Sequence, residues 1–303
     1  MIAGAASPCT PVYSDAAGQG APIDPKMSRS HNTPIAHSTH PAHLETVDIG
    51  ANLSHVSFCE DLDEVIARAR RAGVHAIVVT GTSVEASREA HRLALAHPGL
   101  YSTAGVHPHE AGHCNADTLP ALKALLAHPR VVAVGECGLD FNRNYTPHPD
   151  QERWFLAQLE LACTLDKPLF LHSRDAHPRF ADILREFSGR LPPAVAHCFT
   201  GDAGELEAYL ELGLYIGITG WICDERRGAH LHELVRRIPP DRLMLETDAP
   251  YLTPRDMRPQ PKSRRNEPAF LPHILGTVAG ALGRPADQVA AETSANARRF
   301  FRL

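Results

Sequence analysis

The stretch VVAVGECGLD, residues 131–140, decides the reading of this chain. An apolar, β-branched run opens it, and a carboxylate, Glu136, stands where that run gives way. Three later stretches repeat the arrangement: PLFLHSRD at 168–175, PAVAHCFTG at 193–201 and LMLETDAP at 243–250. Each reads as a buried strand that stops on a metal-binding side chain: Glu136, His172, His197 and Asp248. One such coincidence carries little weight. Four in succession, with helix-like stretches between them, describe a ring of strands whose ends converge on one site.

Working outward, strand-like runs fall at Val47–Leu53, His75–Gly81, Leu100–His107, Val131–Asp140, Pro168–Asp175, Ala194–Gly201, Leu214–Gly220 and Leu243–Pro250. Their near-continuous hydrophobicity suits parallel strands covered on both faces. Helical spacing appears at Asp61–Ala72, which ends at a C-capping Gly73, and at Asp150–Leu165, Ala176–Phe187, Gly204–Leu212 and Ala229–Ile238. Strand and helix in alternation predict an α/β fold, a (β/α)₈ TIM barrel of roughly 250 residues. A doubly wound open sheet is the alternative, and it explains less well why polar residues gather at so many strand ends. In a barrel those C-terminal ends share one mouth, where active sites lie.

The chain has 303 residues and a formal net charge of -5, so it is not a basic coat protein for nucleic acid. Residues 1–43 are rich in Ala, Pro, Ser, Gly and His without apolar period and read as a disordered extension, with Met27 as another possible start. The spacing of His31, His37, His40 and His43 follows no ligand geometry. Residues 44–303 read as one barrel domain. No apolar run approaches the ~18 residues of a bilayer span, and the first residues make a poor secretory signal. The seven cysteines are odd in number and contain no C-x-x-C pair, so neither a disulfide framework nor a thiolate-built structural zinc site is expected. The expected setting is the reducing cytoplasm, away from membranes, with the chain as a monomer. Cys137 and Cys198, beside two candidate ligands, read as buried packing residues.

Glu136, His172, His197 and Asp248 form a mixed nitrogen–oxygen set that suits Mg²⁺, Mn²⁺ or Zn²⁺ better than a soft thiolate site would. Glu136 is the natural carboxylate to bridge two ions, and a pair of ions about 4 Å apart can activate water and stabilise a leaving oxygen. Alone, each residue has an ordinary reading: a hydrogen-bonded core His, or an Asp capping the next helix. Together they would be costly to bury without a cation among them. At the same rim stand His107 and His109 of GVHPH, Arg174 and Asp175 of HSRD, and Thr200 and Gly201 of HCFTG. CDERRG adds Arg226 and Arg227. RDMRPQPKSRR holds Arg255, Arg258, Lys262, Arg264 and Arg265 against Asp256 alone. Basic clusters at the mouth of an acidic site suggest a polyanionic substrate. Trp221 is placed to stack on a base or to pack the rim.

The strings DIGANL, TAGVHPH, GECGLDFNRN, HSRDAH, HCFTG, YIGITGWICDERRG, ETDAPYL and SRRNEP carry a resemblance. From about Val47 to its C-terminus the chain resembles the TatD-like metal-dependent deoxyribonucleases, within the amidohydrolase-like barrels. It is most similar to the TatD-proper group, 3′–5′ exonucleases on single-stranded DNA and RNA. The resemblance implies Mg²⁺, with Mn²⁺ as an alternative, held by Glu136, His172 and His197. Asp248 would complete the site or handle the nucleophilic water. The catalytic pair would be Asp248 and Glu136, and His107, Arg174, Thr200, Arg226 and Arg265 would bind the strand. One departure stands out. Most members open with D-x-H-x-H, whose two His hold a metal; here Gly50 and Asn52 take those places in Asp48-Ile49-Gly50-Ala51-Asn52. That favours loosely held, oxygen-coordinated Mg²⁺ over tightly held Zn²⁺. Glu267 is expected to pair with an Arg and precede a helix opened by Pro268. A competing reading on the same barrel is an ester or amide hydrolase such as a D-aminoacyl-tRNA deacylase. Cyclic amidohydrolases fit less well, because Glu136 stands where many carry a carboxylated Lys. A third reading, a binding protein with a degraded site, has only the missing His pair in its favour.

Overall fold

The computed structural model describes residues 45–303, so the expected extension at 1–43 lies outside the described residues. Eight parallel strands pair in chain order: β1 (Thr46–Ala51), β2 (Val74–Val79), β3 (Leu100–Ala104), β4 (Val131–Asp140), β5 (Leu169–Arg174), β6 (Ala194–Ala196), β7 (Tyr215–Ile218) and β8 (Leu243–Leu245). The ring closes between its last and first strands. Asp248 N donates to Gly50 O at 2.8 Å, Asn52 N donates to Ala249 O at 2.6 Å, and Ala51 bridges Ala249. The expected TIM barrel is therefore the observed fold.

Helices cover the outside: α1 (Leu62–Arg71), α2 (Val84–Ala96), α3 (Thr118–Leu126), α4 (His148–Leu165), α5 (His177–Glu186), α6 (Ala203–Glu211), α7 (Leu231–Leu234), α8 (Leu271–Leu282) and α9 (Ala286–Phe301). Apolar residues on both faces of the strands sort into two layers. Ile77, Val79, Val134 and Leu171 pack outward against the helices. Val78, Val132, Phe170, Val195 and Met244 fill the barrel interior. Phe300 and Phe301 of α9 join that inner layer and close the barrel floor, each contributing roughly 1.5–3 kcal/mol by burial. Asn296 of α9 donates to Pro240 O (2.8 Å) and Leu243 O (2.9 Å), fixing the plug beneath β8.

Several boundaries differ from the expected ones. The strands at Leu100, Ala194 and Leu243 stop early, at Ala104, Ala196 and Leu245. Cys198 (φ 48°) and Asp248 (φ 54°) take left-handed backbone angles just beyond two of them, which ends extended pairing. The helix expected at Ala229–Ile238 is one α-turn followed by a 3₁₀ turn over Val235–Arg237. Ile238 is extended because Pro239 follows it. Cys59 is disulfide-bonded, a departure from the expected all-thiol state at an exposed position after β1. Cys114, Cys137, Cys163, Cys198 and Cys223 are free.

The β4–β5 pair carries the feature that positions the site. Gly135 pairs with Phe170 and Cys137 with Leu171, so Glu136 is the extra residue of a bulge. A bulge bends its strand and re-aims one side chain. Glu136 is thus turned inward mid-strand, and β4 runs on to Asp140, the end of the expected run. Gly138 (φ 148°) lets the strands meet: a Cβ there would overlap the His172 carbonyl oxygen. Gly138→Ala should cost roughly 2–4 kcal/mol from positive-φ strain plus overlap, read as a lower urea midpoint. An unchanged midpoint would show that this close approach is not required.

Candidate active site

Glu136 Oε1 is the point on which the mouth converges. His197 Nε2 lies 2.8 Å from it, His172 Nδ1 2.9 Å and His107 Nε2 3.5 Å. β5 carries His172, His197 follows the end of β6, and His107 follows β3. A second carboxylate, Asp140, sits 2.7 Å from His109 Nε2 and 3.5 Å from His172 Nε2. The second of these is an ion-pair approach only, since His172 Nε2 is buried without a hydrogen-bond partner.

Hydrogen bonds on the far side of each ring decide what the near side offers. His107 Nδ1 accepts from His109 N at 3.1 Å, so Nε2 carries the ring proton. His107 therefore faces Glu136 as a donor and is poorly suited to hold a metal through Nε2, although His107, Glu136 and His172 place ligand atoms within 4.8 Å of one another. His197 is the reverse case. Its Nδ1 lies 3.4 Å from Glu246 Oε2, which takes the ring proton there and leaves the Nε2 lone pair aimed at Glu136. Glu246 is fully buried and also accepts from Cys198 N at 2.5 Å. It sits between two glycines: a Cβ on Gly50 or on Gly217 would run into its carboxylate. The space that a first-strand His would need at position 50 is thus filled by Glu246.

The charges are strongly coupled. Burial acts to raise the Glu136 carboxyl, but the facing His197, His107 and His172 outweigh it and hold it well below its usual range. Burial likewise opposes charge on His197, and Glu136 with Glu246 overcomes it, holding that imidazole well above its usual value. Burial pushes His107 down to about 3, consistent with a neutral ring. It pushes Asp248 up to about 7, with Glu136 and Glu246 reinforcing and His197 opposing. Asp248 Oδ1 accepts from Asn52 Nδ2 at 3.1 Å. Asp48, also raised by burial to about 7, accepts from Thr247 Oγ1 (2.5 Å) and Thr247 N (2.9 Å), which fixes the segment that presents Asp248. Burial lifts the Cys198 thiol well above its ordinary value, so it is no nucleophile at neutral pH.

Two lone-pair-bearing imidazole nitrogens and a carboxylate oxygen facing one another at 2.8–2.9 Å need positive charge between them. Protons supply it in the free protein, and a divalent cation fits the same donor set. Glu136, His172 and His197 are thus able to hold an ion, with Asp248 at the same mouth.

Beyond them opens a cleft of about 1070 Å³. Six arginines line it, Arg143, Arg174, Arg227, Arg255, Arg258 and Arg264, against two carboxylates, Glu225 and Asp248, so its wall is positive. Arg174 donates to Thr200 Oγ1 at 3.0 Å. Trp221 lines the cleft between Arg227 (4.4 Å) and Arg174 (5.3 Å). Two expected strand contacts lie elsewhere. Arg226 and Arg227 both pair with Asp224, and of the two it is Arg227 that also lines the cleft. Arg265 makes a bidentate pair with Asp61 (2.7 Å to each oxygen) and stacks on Phe58. Arg68 joins that network through Asp61 and Glu267, so Glu267 pairs as expected, ahead of the turn opened by Pro268. Asp48, Asp140 and Glu246 were not among the expected site residues. Glu246 stands two residues before Asp248 and Asp140 four after Glu136, so nearness in sequence to the expected ligands was the one signal that could have found them.

Known proteins resemble this chain in sequence and in fold. A family model described as TatD related DNase matches residues 47–302. The chain is 54% identical over 254 residues to the 3'-5' ssDNA/RNA exonuclease TatD of Klebsiella pneumoniae, covering 84% of this chain and 97% of that one. It is 56% identical over 257 residues to the protein of the same name from a Pantoea species, covering 84% and 99%. Among solved structures, YjjV, a TatD homolog from Escherichia coli, superimposes with a TM-score of 0.78 at 29% identity, covering 86% of this chain and 99% of that one. The family model and the identities over most of the chain show the family: the chain belongs to the TatD-related DNase family of metal-dependent hydrolases.

Proposed function

We propose that this protein is a Mg²⁺-dependent 3′–5′ exonuclease on single-stranded DNA and RNA. The observation that carries the reading is the convergence of His172 and His197 on one oxygen of Glu136, beneath an arginine-lined cleft. The names of the relatives supply the polarity. Glu136, His172 and His197 hold the ion, and Mn²⁺ can replace Mg²⁺ in such a set. A divalent ion there supplies Lewis-acid stabilisation of the phosphoryl oxygens and lowers the pKa of attacking water.

The chain's own groups do the rest. Asp248, raised by burial and steadied by Asn52, is placed to take the proton of the attacking water, and a cation held at Glu136, His172 and His197 would favour its ionised form. His107, neutral and carrying its proton on Nε2, offers a donor to a phosphoryl oxygen. Arg174 and Thr200 hold the phosphate on the other side. Trp221 lines the cleft beside Arg174 and Arg227, and an aromatic ring in a positive cleft favours a single strand with unpaired bases over a duplex.

Digestion of end-labelled oligonucleotides checks these roles. Chelator should abolish digestion and Mg²⁺ restore it, and Glu136→Ala should lose roughly 10²–10³-fold or more in kcat/KM. Full metal-dependent activity in Glu136→Ala would refute the site. Trp221→Ala should raise KM for single strands by about 5–100-fold, the value of one stacked base, with little change in kcat. Arg265→Gln should do the opposite, lowering stability by about 1–2 kcal/mol in denaturant while leaving KM unchanged. A raised KM with unchanged stability would return Arg265 to the strand-binding surface.

A further inference from the structure

Outside the mouth, a second set of ligand side chains comes together from three separate segments. Cys223 ends the 3₁₀ turn after β7, Asp256 lies in the arginine-rich segment after β8, and His273 is in the first turn of α8. Their sulfur, oxygen and nitrogen atoms lie within 4.8 Å of one another. His273 Nε2 is already 2.7 Å from Asp256 Oδ1. Cys223 is buried at 3% exposure, and its Sγ contacts Thr277 Oγ1 at 3.4 Å, one helical turn beyond His273.

We propose that Cys223, Asp256 and His273 form a second metal site that takes Zn²⁺ or a similar thiophilic divalent cation. One thiolate, one imidazole and one carboxylate is a three-ligand zinc set, completed to four by water. Tetrahedral coordination with Zn–S of about 2.3 Å and Zn–N or Zn–O of about 2.0–2.2 Å calls for ligand atoms about 3.3–3.8 Å apart. Asp256 is exposed and already meets His273, so closing the longer spacing to the sulfur asks for a change in side-chain torsions. Binding needs the Cys223 thiol to lose its proton to solvent and the His273 ring to present Nε2 without a hydrogen. This donor set differs from that around Glu136. It contains sulfur and therefore prefers a softer cation than Mg²⁺.

The location gives the site its consequence. Asp256 adjoins Arg255, which lines the cleft and reaches Asp224 (3.7 Å) and Glu225 (3.8 Å). An ion at Asp256 fastens this basic wall to α8 and to the turn after β7. No pair of closely spaced cysteines announces it in the sequence, because its ligands come from three loops and helices that only the barrel brings together.

Cobalt spectroscopy on the metal-free full-length chain tests the proposal, since only a thiolate ligand gives a sulfur-to-cobalt charge-transfer band in the near ultraviolet. One equivalent of Co²⁺ should produce the band, and Zn²⁺ should bleach it. Cys223→Ser should lose it. Glu136→Ala and Cys198→Ser, which alter the cleft site and its thiol, should keep it. Asp256→Asn and His273→Ala, both at surface-accessible positions, should weaken Co²⁺ binding at least tenfold. No band in the wild-type chain, a band that survives Cys223→Ser, or a band lost in Cys198→Ser would overturn the assignment. Because the readout is the thiolate band, it stands or falls independently of the nuclease reading.

Discussion

Everything at the barrel mouth depends on one electrostatic constraint. Glu136 Oε1, buried with its residue at 6% exposure, faces the nitrogens of His172 and His197 at hydrogen-bonding distance. Three electron-rich atoms converging on one desolvated point repel one another unless protons or a metal ion lie between them. The far-side contacts enforce the arrangement: Glu246 turns the His197 lone pair inward, and Asp140 faces the outer nitrogen of His172. The site is therefore built to hold positive charge, and the fold supplies the rigidity that keeps its members from turning away.

That rigidity traces to backbone. The bulge at Glu136 turns a mid-strand carboxylate into the barrel, and Gly138 lets β4 approach β5 closely enough for His172 to reach it. Gly50 and Gly217 leave the volume that Glu246 occupies. Gly50 takes the place of the His expected from a D-x-H-x-H opening, and the structure gives a physical reason: that side chain and Glu246 cannot share the space. The first strand contributes through Asn52, which orients Asp248, and through Asp48, which anchors the neighbouring Thr247.

Much of this was legible in the sequence because hydrophobic period and strand-end chemistry are local properties. Eight apolar runs predicted eight strands, and four polar strand ends marked the mouth. What was not legible depends on contacts between distant segments. Glu246 and Asp48 looked like ordinary acids, because Glu246 fills space left by Gly50 and Gly217 and Asp48 is held by Thr247, 199 residues away. Arg265 looked like a strand contact until the fold set it against Asp61, 204 residues away. Arg226 and Arg227 are adjacent and chemically identical and both pair with Asp224, and only Arg227 also lies over Trp221 in the cleft. Cys223, Asp256 and His273 are likewise scattered in sequence and neighbours only in space.

The central claim is that a divalent ion is held on the Glu136 oxygen shared by His172 and His197. Anomalous diffraction from a crystal of the full-length chain soaked in Mn²⁺ tests it most directly. The account predicts a peak about 2.1–2.3 Å from Glu136 Oε1, His172 Nδ1 and His197 Nε2, with His107 Nε2 outside coordination distance. A peak bound through His107 without His197, or no peak at Glu136 with ordered Mn²⁺ elsewhere in the cleft, would contradict it.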